Sequence, residues 1–195
     1  VTVLVDDAMW PWRGERWAHL ASDLDHDELH RFADALGLRR LSFQGDHYDV
    51  PAPMRERAIE LGARPVGGRE LVRRLRAAGL RRPGGGARWH RDLAVAPPGR
   101  LDAALLEATA HALSSRLGPI RTAVVVDLLR PLVDDRPALA ELGLAVLHRP
   151  GEVALALDLV AGDVPEGFAA DTAVGTARHR WPGAVWAYEV VLPQG

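Results

Sequence analysis

The sequence predicts an α/β fold in two units. Residues 1–82 read as a small parallel, Rossmann-like sheet, and 101–195 as a second α/β unit. Three observations carry this. Short β-branched runs alternate with stretches of helical periodicity, which favours a sheet flanked by crossover helices. Glycine or proline punctuates the ends of these segments. Residues 83–100, rich in Pro, Gly and Arg, separate the halves as a linker, with Leu93-Ala94-Val95 as a short edge strand within it.

Val1-Thr2-Val3-Leu4-Val5 reads as a buried strand ending at Asp6-Asp7. Asp27 opens a helix with Leu29, Phe32, Ala33 and Leu36 on one face, and Gly37 closes it. Arg40 to Gln44 reads as the second strand. Pro51 and Pro53 introduce a second helix carrying Met54, Ala58 and Leu61. A brief strand at Arg64-Pro65-Val66 leads through Gly67-Gly68 into a third helix with Leu71, Val72 and Leu75 apolar. In the second half, a helix from Leu101 ends at Gly118, Thr122 to Val126 reads as a strand, and Asp134 or Asp135 caps a helix that Gly143 stops. Leu144 to Leu147 is another strand, Glu152 to Val160 leans towards helix, and Ala184 to Leu192 is the last strand.

Composition removes several classes of function. With 195 residues and no cysteine, the chain can form neither disulfides nor thiolate metal sites. No apolar run reaches the roughly 20 residues of a membrane-spanning helix, and no secretory leader is visible, so the expectation is cytoplasmic. All 24 basic residues are arginine, which reads first as codon bias. The sequence holds no phosphate-loop lysine, no dinucleotide fingerprint and no nucleophile elbow.

In an open parallel sheet, ligands gather beyond the carboxyl ends of the strands. That edge collects Asp6 and Asp7 from the first strand and Asp46, His47, Tyr48 and Asp49 from the second. The connection from Asp6 to His26 leaves from the same edge. Trp10, Trp12, Trp17 and His19 sit on it, three of the six tryptophans within eight residues. Its length suits a lid.

Asp6, His19, His47 and Asp49 are therefore the candidate metal ligands or acid–base groups. Carboxylate and imidazole together suit a divalent metal that could activate water. The alternative is a buried hydrogen-bond network that ties the loop to the sheet. Trp10, Trp12 and Trp17 could stack on a base or sugar, or simply form the loop's own core. Gly67, Gly68 and Arg69 could hold a phosphate at a helix N-terminus. His30 reads as a packing or capping residue, and Asp25 and His26 as surface residues. Asp127 and His148-Arg149 form a weaker second pair of strand ends.

Residues 64–91 hold nine arginines against Glu70 alone, a local charge of +8, with Arg69, Arg73 and Arg76 on one helix face and Arg81 and Arg82 beyond it. Such a cluster attracts phosphate, so a phosphate-bearing small molecule or nucleic acid is the expected partner. The bland alternative is a solvated face neutralised by the acidic residues 1–50, which carry −5.

The runs Val5-Asp6-Asp7-Ala8-Met9-Trp10-Pro11-Trp12-Arg13-Gly14, Trp17-Ala18-His19-Leu20, Asp27-Glu28-Leu29-His30 and Asp46-His47-Tyr48-Asp49 resemble a bacterial and phage family known only as domain of unknown function 4031. The resemblance spans residues of about 1–82. It implies a domain boundary and no chemistry. Three functions thus stand as expectations: a metal-assisted hydrolase or nucleotide-processing domain, a non-catalytic module binding nucleic acid or phosphate through residues 64–91, and an assembly protein.

Overall fold

The computed structural model describes residues 2–12, 14–82, 86–95, 99–135, 138–160, 176–181 and 185–194, the side chains of 135, 140–142 and 176–186 excepted. The chain divides into two compact units, 1–87 and 88–195. Both are mixed α/β. Among the described residues no helix is long and apolar enough to cross a membrane.

In the first unit the order is β1 (Val3–Val5), β2 (Trp10–Trp12), β3 (Glu15–Ser22), α1 (His26–Ala35), a 3-10 turn (Arg40–Ser42), β4 (Tyr48–Pro51), α2 (Ala52–Glu60), β5 (Arg64–Pro65) and α3 (Gly68–Ala77). The sheet is mixed rather than wholly parallel. β1 pairs in parallel only with β5, and β3 runs antiparallel to β1, β2 and β4.

Two expectations change as a result. The stretch read as a long loop is a hairpin of β2 and β3, turning at Gly14 with φ +82°. That conformation suits glycine because it has no Cβ. Its second strand has three sheet neighbours along its eight residues. Residues 40–44 do not form a strand. The Ser42 and Phe43 amides bond back to Arg39 and Arg40, and only Phe43 bridges to Tyr48. The strand expected there is displaced to Tyr48–Pro51.

Side chains alternate across a sheet, and the core follows that rule. Val3, Val5, Ala18, Leu20, Tyr48 and Val50 pack with Leu29 and Ala33 of α1 and Ala58 of α2. Leu4 and Ala21 face the opposite way and meet Leu71 and Leu75 of α3. Two helices thus cover one face and α3 covers the other. By the same alternation, Asp6, His19 and Asp49 belong to the α3 face.

The second unit holds β6 (His90–Val95), α4 (Ala103–Leu117), α5 (Pro119–Asp135), β7 (Leu139–Arg149), β8 (Glu152–Val160), β9 (Thr176–Trp181) and β10 (Val185–Pro193). The sheet order is β6-β7-β8-β10-β9, antiparallel throughout. The stretch expected as a linker therefore contains a six-residue strand, β6, while residues 83–85 and 96–98 lie outside the described residues.

Thr122 to Val126 is helix, not strand. Thr122, Val125, Leu129 and Leu132 are buried at spacings of three and four, and packing overrides the β-branched preference. The helix expected from Asp134 or Asp135 to Gly143 is instead the end of α5 followed by the start of β7. Glu152 to Val160 is strand, not helix. Val153, Leu155, Leu157 and Leu159 join the helix-side core, while Ala154, Ala156 and Asp158 occupy the other buried face. Pro150-Gly151 is the turn joining β7 to β8: Arg149 pairs with Glu152 and Gly151 has φ +83°. Ala184 lies outside the described residues.

Leu129 is fully buried in this core. Leu129→Ala should cost about 2–5 kcal/mol, read as a lower denaturant midpoint with an unchanged m-value.

Candidate functional site

Strand register brings the first pair of candidates together. His19 on β3 and Asp49 on β4 are direct cross-strand partners, so both point to the α3 face. Asp6 follows β1 immediately, and its amide donates to the His19 carbonyl at 3.1 Å. The Asp6 carboxylate then returns two contacts. Oδ1 accepts the His19 amide at 2.6 Å, and Oδ2 lies 2.8 Å from the ring Nδ1. A carboxylate can only accept there, so Nδ1 carries the proton and Nε2 is left with its lone pair when the ring is neutral.

His47 is arranged the same way. Its Nδ1 lies 2.5 Å from Oδ1 of Asp46, which leaves Nε2 facing Asp49. Asp46 has no exposed surface. Its Oδ2 accepts from Arg81 Nη1 at 2.6 Å and from the Arg82 amide at 2.7 Å. Burial pushes the Asp46 carboxyl up, but the hydrogen bonds from His47, the Arg82 amide and Arg81 outweigh it and bring it down to about 2.

The chain beyond α3 is thereby strapped onto the turn before β4. The Gly86 amide also donates to the Gln44 carbonyl. A Cβ at Gly86 would fall 2.6 Å from Gly45 Cα, so only glycine fits that approach without a backbone shift.

Three ligand atoms converge. His19 Nε2 and His47 Nε2 lie 3.9 and 3.4 Å from Asp49 Oδ1, and the set falls within 4.8 Å. Asp49 Oδ1 is buried and has no hydrogen-bond partner among the described residues. Two imidazole lone pairs facing a carboxylate oxygen repel one another unless a proton or cation sits among them. For tetrahedral zinc with bonds of about 2.0–2.1 Å, donors stand roughly 3.3 Å apart, close to this spacing. The His19 side chain is 38% exposed, so the cluster opens to solvent on that side.

Asp46 and Asp49 both favour the protonated form of His47. Burial disfavours a charged His47, but its hydrogen bond to Asp46 and the nearby Asp49 carboxylate outweigh burial and raise it to about 9.

Of the four residues singled out as ligands, His19, His47 and Asp49 form the cluster, while Asp6 stands behind His19 and orients it. The residues missing from that set were Asp46 and Arg81. The adjacent Asp46-His47 pair was the available signal for the first. Arg81 carried none, because only the fold brings it back from 35 positions away.

The tryptophans border this cluster. Trp10 stacks on His19 with ring centres 6.1 Å apart and planes 14° apart. Trp12 follows Trp10 at 6.5 Å and meets Trp17 edge-on at 4.9 Å. Trp17 donates from Nε1 to the Trp12 carbonyl. Trp10 and Trp12 remain 38% and 45% exposed, so they do not form a closed local core.

On the other side of Asp6 lies the start of α3, with Gly67 as its N-cap. A Cβ at Gly68 would sit 3.3 Å from Asp6 Oδ2, so this N-terminus already lies beside a carboxylate. From Gly68, a groove of about 560 Å³ runs along α3 past Arg69, Val72, Arg73 and Arg76. Arg73 is held by Glu70, and Arg74 by Glu70 and Asp23. Arg55 donates to the Asp6 carbonyl at 2.6 Å.

The remaining candidates are structural. His30 packs on Phe43 and meets the Tyr48 hydroxyl at 2.9 Å. Asp25 caps α1, while His26 is half-buried against Phe43 rather than facing solvent. Asp127 and His148 do not form a site. Asp127 lies on α5 and pairs with Arg130, and His148 bonds Asp92, which also holds Arg116.

The fold and the cluster define a mixed α/β domain bearing a two-histidine, one-carboxylate centre. Residues 3–78 match the model of the family described as protein of unknown function (DUF4031), the family these motifs resemble. No curated protein and no solved structure matches the chain.

A metal ligand must be deprotonated, so a cation held by His47 would have to displace its proton. The sign is fixed by the raised pKa. Zinc affinity, measured by chelator competition, should climb about tenfold per pH unit from pH 6.5 towards about 9. An affinity flat over that range would contradict a protonated His47.

Proposed function

We propose that the first unit is a metal-dependent hydrolase domain with His19, His47 and Asp49 as the ligands of one divalent cation. The buried Asp49 oxygen facing two oriented imidazoles, with no hydrogen bond of good geometry to either, is the observation that carries this reading. Nitrogen-rich donor sets with one carboxylate suit zinc, iron or manganese better than magnesium. Three protein ligands leave positions for water and substrate. When bound, such a cation would lower the pKa of a coordinated water to near neutrality.

The chain's own residues would divide the remaining work. Asp6 and Asp46 fix the ring orientation and tautomer of the two histidines and raise their basicity. Arg81 and the Arg82 amide keep Asp46 ionised while it is buried. Trp10 shields one face of His19, and the opening beside His19 admits substrate.

His19→Ala and Asp49→Ala should abolish stoichiometric zinc or manganese uptake by calorimetry while leaving the circular dichroism spectrum unchanged. Asp46→Asn should weaken uptake by about 10–100-fold. Native protein that takes up no divalent cation at neutral pH would end the proposal.

A further inference from the structure

The centre does not stand alone on its sheet face. Trp12, Trp10, the His19–His47–Asp49 cluster, Asp6, Gly68 and the arginine groove follow one another across the α3 side of a single unit. Aromatic surface lies on one flank of the cluster and cationic surface on the other. We infer that this face binds single-stranded nucleic acid, with bases stacked on Trp10 and Trp12 and the following phosphates along Arg69, Arg73 and Arg76. This rests on the metal reading and assigns its substrate class: a phosphodiester bond placed at the cluster.

Three features favour a strand over a single nucleotide. Arg69, Arg73 and Arg76 lie at i, i+4 and i+7, so their stripe follows α3 for about 10 Å. One phosphate can meet only part of it, whereas a strand offers phosphates in succession. Arg69 and Arg76 have no carboxylate partner among the described residues, so their charge is available to a ligand. Exposed indoles stack well on unpaired bases, which a duplex keeps stacked within itself.

Hydrolysis at this place needs only water. Its oxygen bonds to phosphorus as the bond from phosphorus to the leaving nucleoside oxygen breaks. One water proton ends on that oxygen and the other stays with the phosphate. No oxidant or second substrate enters.

The test uses the full chain and a fluorescein-labelled, twelve-nucleotide oligothymidylate, followed by anisotropy with zinc present and after chelation. The expected result is binding in both cases, with a log–log salt slope of about −1.4 to −2, from two or three arginine–phosphate contacts at about 0.7 each. The Arg69→Ala/Arg76→Ala pair should weaken it at least tenfold while zinc uptake stays unchanged. Unlabelled oligothymidylate should quench tryptophan fluorescence, and Trp10→Ala should lose a large part of that quenching. Thymidine monophosphate should compete poorly.

A protein that takes up zinc but ignores the oligonucleotide overturns the substrate assignment and leaves the metal centre standing. Equal binding by the arginine variant overturns the groove, and equal competition by the mononucleotide overturns the strand. Oligonucleotide binding without any metal uptake overturns the centre, and with it the phosphodiester assignment.

Discussion

The Asp6 carboxylate is the contact on which the rest of the site depends. It sits where β1 ends and spends one oxygen on the His19 amide and the other on the His19 ring. The first bond extends the pairing of β1 with β3 beyond the regular ladder. The second fixes which imidazole nitrogen is left for chemistry. The start of α3 lies against the same carboxylate, and a helix N-terminus favours negative charge. Backbone register, ring orientation and helix placement therefore meet at one side chain.

His47 receives equivalent support from a different source. Asp46 is sealed from solvent, and a buried carboxylate is tolerated only when its charge and lone pairs are matched. His47, Arg81 and the Arg82 amide supply that match. The two histidines are thus oriented by two separate parts of the fold, one by a strand end and one by the return of the chain after α3. Asp49 needs no such support, because its position on β4 directly opposite His19 places it.

The sequence made part of this legible. Asp6, His19, His47 and Asp49 do lie close together, but not as strand ends: His19 and Asp49 sit within β3 and β4 and meet through register. Their partners were harder to see. The length of the tryptophan stretch suits a lid, yet its pairing Trp10↔Trp17 puts alternate aromatic residues on one face. Register is a property of two strands together, and neither strand announces it alone. Thr122 to Val126 and Glu152 to Val160 depart from their local sequence patterns for opposite reasons. Valines were forced into a helix by the spacing of the core they enter, and alanines joined a strand because its second face is buried too.

The strap beyond α3 also bears on where the domain ends. The family match stops at residue 78, but Arg81, the Arg82 amide and Gly86 all lie past it. A chain cut at that limit would keep every proposed metal ligand. It would still strip two of the three donors from a carboxylate with no access to water. Asp46 would then have to take up a proton or drag the turn before β4 into solvent, and His47 would lose its anchor. The smallest piece that keeps the Asp46–His47 arrangement intact therefore extends at least to Gly86, and the residues outside the matched segment support the proposed site as much as those within it.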